Sequence, residues 1–122
     1  MSFRSIYIII GVVFMSIVVA SCGKQYSAKG LAEDFIEKNA VAPEKMLYRE
    51  YSDLGTTTLI SDSVILSMQQ RGHELFKRDI EYSSKSSGNL LYYLRMKYVY
   101  EGDTLQQTFY LDENLTQIVS FK

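Results

Sequence analysis

The chain has 122 residues, a formal net charge of −1, one cysteine, ten tyrosines, six phenylalanines and no tryptophan. A single cysteine excludes an intramolecular disulfide and a thiolate-based metal site. The near-neutral balance lacks the basic surface that nucleic-acid binding requires, so no nucleic-acid partner is expected.

At the start of the chain, Arg4 precedes an apolar run from Ile6 to Ala20, followed by Ser21 and Cys22. A cationic start, an apolar stretch and small residues before a cut are the parts of a secretory signal. A spanning helix wants about 20 apolar residues; this run is shorter and has no basic cluster behind it. Val19-Ala20-Ser21-Cys22 resembles the lipobox of bacterial lipoproteins, an aliphatic residue and two small residues before an invariant Cys. The resemblance implies a diacylglyceryl thioether on Cys22, cleavage between Ser21 and Cys22, and acylation of the new amino group. An uncleaved signal anchor and ordinary cleavage that leaves a free thiol are the alternatives. Each buried methylene contributes about 0.8 kcal/mol, so two or three chains make a durable membrane anchor. No Asp follows Cys22, where it would resemble an inner-membrane retention signal. Gly23-Lys24-Gln25-Tyr26 also lacks the acidic cluster typical of surface-exposed Bacteroidetes-type lipoproteins. The expected location is therefore the cell envelope, lipid-anchored in the outer membrane on its periplasmic face. Residues 1–21 are read as the leader, 22–27 as a lipidated tether and 28–122 as one small domain with a single core.

In that domain, Ala28, Leu31, Ala32, Phe35 and Ile36 recur at helical spacing, with Lys29, Glu33, Asp34, Glu37 and Lys38 on the other side. Ser27 is the expected N-cap, and Asn39 and Pro43 mark the end. Lys45 to Leu54 reads as a strand, and Gly55 to Thr58 as a break. Ser61-Asp62-Ser63 starts a second helix that carries Val64, Ile65, Met68, Leu75 and Phe76 to about Arg78, its middle weakened by Gly72. Ser83 to Asn89 is a polar loop. Leu90–Glu101 alternates strictly between two faces, the clearest period-two signal in the chain. Gly102-Asp103 is a turn, Thr104–Leu111 returns, Asp112-Glu113-Asn114 turns again, and Leu115–Phe121 is the last strand.

The expected fold class is α+β: an N-terminal helix, a strand, a second helix and a three-stranded antiparallel meander, with the helices packed on one face of the sheet. That order resembles the cystatin-like and nuclear-transport-factor-like α+β rolls. The lipobox, the helix after Cys22 and the tyrosine-rich ending from Tyr92 to Lys122 resemble small Bacteroidetes-type lipoproteins of unassigned function. Neither resemblance implies an activity.

No catalytic residue, cofactor or metal is expected, and the chain is read as a non-enzyme. His73 and Glu74 are adjacent, and adjacent helical residues do not face each other. Glu33-Asp34, Asp53, Asp62 and Asp112-Glu113 fall on a polar helix face or in turns, where water keeps carboxylates ordinary. No Gly-x-Ser-x-Gly, P-loop, His-Glu-x-x-His or calcium-loop pattern is present. Tyr93, Arg95 and Lys97 share one strand face, which Tyr110 joins from the next strand. With helices on the other face, this one would be open to a sugar, a peptide or an anionic headgroup. The expected function is a binding or accessory domain with an envelope protein or glycan as partner. The rivals are a small-ligand binder or enzyme using a cone-shaped cavity, and a structural subunit of a secretion, conjugation or uptake machine. Asp62-Ser63-Val64 and Asp103-Thr104-Leu105 resemble the O-glycosylation motif of exported Bacteroidetes proteins, which implies glycans on Ser63 and Thr104; chance occurrence of so short a motif is the alternative.

Overall fold

The computed structural model describes residues 23–82 and 90–122. The expectations for Ser21, Cys22, the leader and the polar loop lie outside the described residues. The domain is α+β, with two helices packed on a five-stranded antiparallel sheet. Helix α1 covers residues 23–39. A short 3-10 turn, Pro43–Lys45, leads into β1 (Leu47–Tyr51) and β2 (Gly55–Thr57). Helix α2 (Asp62–Arg71), β3 (Leu91–Tyr100), β4 (Asp103–Leu111) and β5 (Ile118–Phe121) complete the chain order.

The sheet order is β1-β3-β4-β5, and β2 also pairs with β3. β1 runs beside Val99 to Met96, and β2 beside Tyr93 to Leu91, so the two form one interrupted edge strand. The interruption is bridged by side chains. Ser52 donates its N–H to Arg95 O (2.8 Å), and its Oγ accepts from Arg95 N–H (3.0 Å). From α1, Gln25 Nε2 donates to Ser52 O (2.8 Å) and Gln25 Oε1 accepts from Leu54 N–H (2.7 Å). The amide thus does for the gap what a neighbouring strand would do. The break expected at Gly55–Thr58 lies instead at residues 52–54, because Thr56 and Thr57 suit an extended edge.

α1 begins earlier than its expected Ser27 cap, and residues 23–27 are helix rather than tether. The Gln25 clamp accounts for this: it gives the first turns a tertiary partner that periodicity alone does not reveal. Ala28, Ala32 and Ile36 are fully buried, and with Phe35 they pack on Leu94, Met96, Phe109, Leu111 and Phe121. The alanines let the helix axis approach the sheet closely while Phe35 fills the remaining space among Phe76, Phe109 and Phe121.

α2 lies on the opposite face, against the expectation that both helices share one. Its Ile65 and Met68 pack on Leu91, Tyr110 and Val119. The register pairs Leu94 with Phe109 and Tyr93 with Tyr110, which places the two clusters on opposite sides. The physical reason is that this second face carries its own apolar patch at one end, which would otherwise be wet. Ser61 caps α2, its Oγ accepting from Val64 N–H (3.4 Å), and Gln69 Nε2 donates to Val119 O (2.7 Å) on the β5 edge. α2 ends at Arg71 and not near Arg78, because Gly72 at φ 70° supplies the left-handed residue that terminates it. The following segment turns at Glu74 and Leu75, where Phe76 N–H donates to His73 O (3.0 Å), and then bridges the end of α1: Val41 N–H donates to Leu75 O (2.9 Å) and Lys77 N–H to Asn39 O (2.8 Å), which seats Phe76 beside Phe121.

The β3–β4 hairpin turns on Glu101 and Gly102, both at positive φ, one residue earlier than expected. The β4–β5 turn is held by Asp112, only 2% exposed. Its Oδ1 accepts from the N–H groups of Thr116 (2.7 Å) and Gln117 (3.1 Å), and its Oδ2 from the Thr116 hydroxyl (2.5 Å). Asp112 is therefore a buried structural carboxylate and not the water-exposed turn residue expected.

Candidate binding face

α2 covers only one end of the second sheet face; among the described residues, nothing covers the rest, where Arg95, Lys97 and Gln106 are exposed. At the boundary, Tyr93 lies across the edge strand over Gly55, its cross-strand partner. A Cβ on Gly55 would sit 2.3 Å from the Tyr93 ring, so only glycine admits this ring position. The Arg95 guanidinium stacks on the same ring, 5.1 Å from its centroid. Tyr93 is thus pinned between backbone and cation, and it orients the arginine across the sheet.

Register extends the site sideways. Arg95 pairs with Thr108, and Thr108 exchanges two backbone hydrogen bonds with Lys122 (2.8 and 3.0 Å). Arg95, Thr108 and Lys122 therefore form a row across three strands. Two strand spacings put the backbones of Arg95 and Lys122 about 10 Å apart. A surface cavity of about 530 Å³ opens over the row, walled by Thr56, Thr57, Leu59 and Ile60 and floored by Tyr93 and Tyr110. Among the described residues, no Asp or Glu side chain lines it. Among the described residues, neither Arg95 nor Lys122 makes an ion pair. One cation held on an aromatic ring, a second, exposed one and a hydroxyl between them can hold carboxylate, sulfate or phosphate groups, with a sugar ring stacked beside them.

Of the residues expected here, Tyr93 and Arg95 are brought together as a unit. Lys97 lies on the same face but directly across from Glu50, an opposite charge in register, and with Glu50 it borders a smaller cavity of about 260 Å³. Tyr110 corrects the expectation of an open face: it is 6% exposed, packed under Ile65 and Met68, and forms floor rather than rim. Sequence reading missed Lys122, Thr108 and Gln106, which join only through strand register. The alternation of β4 places Thr108 and Gln106 on the right face, but Lys122 needs the bulge between Tyr110 and Leu111 to be known.

The other candidates are structural or solvated. Glu33 is not an ordinary surface acid: it accepts hydrogen bonds from Arg49 Nη1 and from the Tyr51 hydroxyl (2.7 Å), tying α1 to β1. Arg49 also donates to the carbonyls of Met46 (3.0 Å) and Pro43 (2.6 Å). Burial first, and then the Glu33 carboxylate, push the Tyr51 hydroxyl far above the usual phenol range. His73 follows α2 rather than lying within it. Its Nδ1 accepts from Leu75 N–H (3.1 Å) and its ring meets Phe76 edge-on, so it shapes a turn. Ser63 is exposed in the first turn of α2, and Thr104 is exposed in β4 rather than in a turn. No protein-family model, curated protein or solved structure matches the chain.

Proposed function

We propose that the protein is a lipid-anchored, non-enzymatic domain of the bacterial cell envelope that binds an acidic glycan across the open sheet face. The observation that carries the binding site is a cavity, lined among the described residues by no Asp or Glu side chain, in which Arg95, stacked on Tyr93, and Lys122 stand about two strand spacings apart. The anchor rests on the resemblance of Val19–Cys22 to a lipobox, and the outer-membrane, periplasmic location on the residues after Cys22. The fold is read as a roll similar to the cystatin-like and nuclear-transport-factor-like domains. A long helix across one face of the sheet and the succession β3, β4, β5 as a meander support that comparison. A cone-cavity enzyme is the weaker alternative, because Phe35, Ile36, Leu94 and Phe109 fill the space between α1 and the sheet.

The test is binding of the full chain to immobilised acidic and neutral polysaccharides, beside the double variant Arg95→Glu, Lys122→Glu. Binding to the acidic polymer should be lost in the variant and should fall with added salt, while the melting temperature stays within a degree or two of the parent. Equal retention of parent and variant on the acidic polymer would remove this face from consideration. Intact mass and membrane fractionation of the parent and Cys22→Ala test the anchor separately: acyl mass and membrane association should disappear together.

A further inference from the structure

A second cavity, of about 670 Å³, opens on the α1 side of the sheet at the start of that helix. Lys24, Tyr26 and Lys29 from the first two turns of α1 face Asp53, Leu54 and Tyr92 across it. Lys24 Nζ stands 6.0 Å from the Tyr92 ring centre, and Lys29 Nζ 5.5 Å from that of Tyr51. Among the described residues neither ammonium makes an ion pair, and Asp53 is the one carboxylate lining the cavity. Tyr26 is 81% exposed and stands at the mouth. The Gln25 clamp on residues 52 and 54 fixes the two walls relative to each other.

The position of this cavity says what it meets. α1 already includes Gly23, the residue after Cys22, so the domain has no tether beyond one Cα–Cα step of about 3.8 Å. Gly23 to Lys29 spans only about 9 Å of helix axis. Acyl chains on Cys22 would therefore hold the cavity within the headgroup layer, where tyrosine rings and lysine ammonium groups are favoured. We propose that this cavity takes the phosphate of a phospholipid headgroup from the membrane that holds the anchor, with Lys24 and Lys29 as its cationic contacts and Tyr26 set into the interface. The proposal rests on the lipid-anchor reading of Cys22. It makes the domain a body seated directly on the bilayer in one orientation, with the Arg95 row on the opposite side of the sheet.

The experiment uses the full-length chain purified from bacterial membranes, its acylation checked by intact mass. It is placed in vesicles of phosphatidylglycerol and phosphatidylcholine, in vesicles of a phosphate-free diacyl glycolipid, and in neutral detergent micelles. Lysines are then labelled with an amine-reactive reagent and the sites quantified by mass spectrometry. Lys24 and Lys29 should label several-fold more slowly in the phospholipid vesicles than in either other setting, while Lys97 and Lys122 change little. Equal protection in the glycolipid vesicles would mean mere proximity to a bilayer and would overturn phosphate recognition. Protection in micelles by added inorganic phosphate as strong as in phospholipid vesicles would overturn the headgroup assignment. An acylated chain whose Lys24 and Lys29 label as fast as Lys97 sinks the headgroup site alone; an unacylated chain sinks it together with the anchor.

Discussion

The two faces of the sheet are built to different ends. On the α1 face, a five-turn helix seals a continuous core in which Ala28, Ala32, Ile36, Leu94, Met96 and Phe109 are all withdrawn from water, and polar clamps from Gln25 and Glu33 lock it down. On the α2 face, a ten-residue helix buries only Ile65 and Met68 and stops where the sheet turns cationic. The sealed face carries the stability, and that leaves the other free to expose Arg95, Gln106 and Lys122 in a concave surface. Small domains have little core to spare, so dividing the work between faces is a way to keep an open site without unfolding.

The largest expected effect comes from the sealed face. Phe109→Ala removes a fully buried ring and should cost about 3–5 kcal/mol in denaturant unfolding, while Met68→Ala on the other face should cost about 2 kcal/mol. Equal losses in the two variants would break the division of labour. A change at the boundary between covered and open sheet separates binding from stability. Gly55→Val forces the Tyr93 ring out of its seat and should cost about 1–3 kcal/mol. Because Arg95 loses its stacking partner, glycan binding should fall further than the melting temperature does; unaltered binding would mean that Tyr93 does not orient Arg95.

The last effect, which appears only above pH 10, is a pH dependence carried by tyrosines of the sealed side. Burial pushes the hydroxyls of Tyr82 and Tyr98 up to about 12, with Tyr100 adding to the shift at Tyr98, and holds Tyr51 protonated beyond that. The unfolded chain releases these protons near pH 10 while the folded chain keeps them, so the folded state binds more protons above that point. The stabilisation is complete below pH 10 and declines as pH rises from 10 towards 12. Thermal melts across that window should show a falling melting temperature, with a shallower slope in Tyr51→Phe. An unchanged slope in that variant would mean that burial and the Glu33 carboxylate do not hold the Tyr51 proton in the folded chain.

Parts of this architecture are legible in the residues themselves. The alternation through Leu94, Met96 and Tyr98 marks the buried face of β3, and the spacing of Ala28, Ala32, Phe35 and Ile36 marks the buried stripe of α1, because side-chain direction follows backbone period locally. Ser61 is readable as a cap for the same reason. What is not legible is any contact that depends on distant partners. The early start of α1 depends on Gln25 meeting residues 52 and 54, and the short β2 on a glycine that only Tyr93 requires. Half of the candidate site was visible as Tyr93 and Arg95; Lys122 was not, because its place beside Thr108 passes through a bulge with no sequence mark.

By itself the sequence determines the class of the domain, the inward faces of its longest helix and strand, and the resemblance of its first 22 residues to a lipoprotein signal, all of which are local patterns. Only the tertiary structure decides that α2 crosses to the far face, that Tyr110 is floor rather than surface, and that Arg95 and Lys122 meet over one cavity. Those outcomes turn on which apolar patch most needs covering and on how strands align, and both are properties of the assembled chain, where burial and register are settled together.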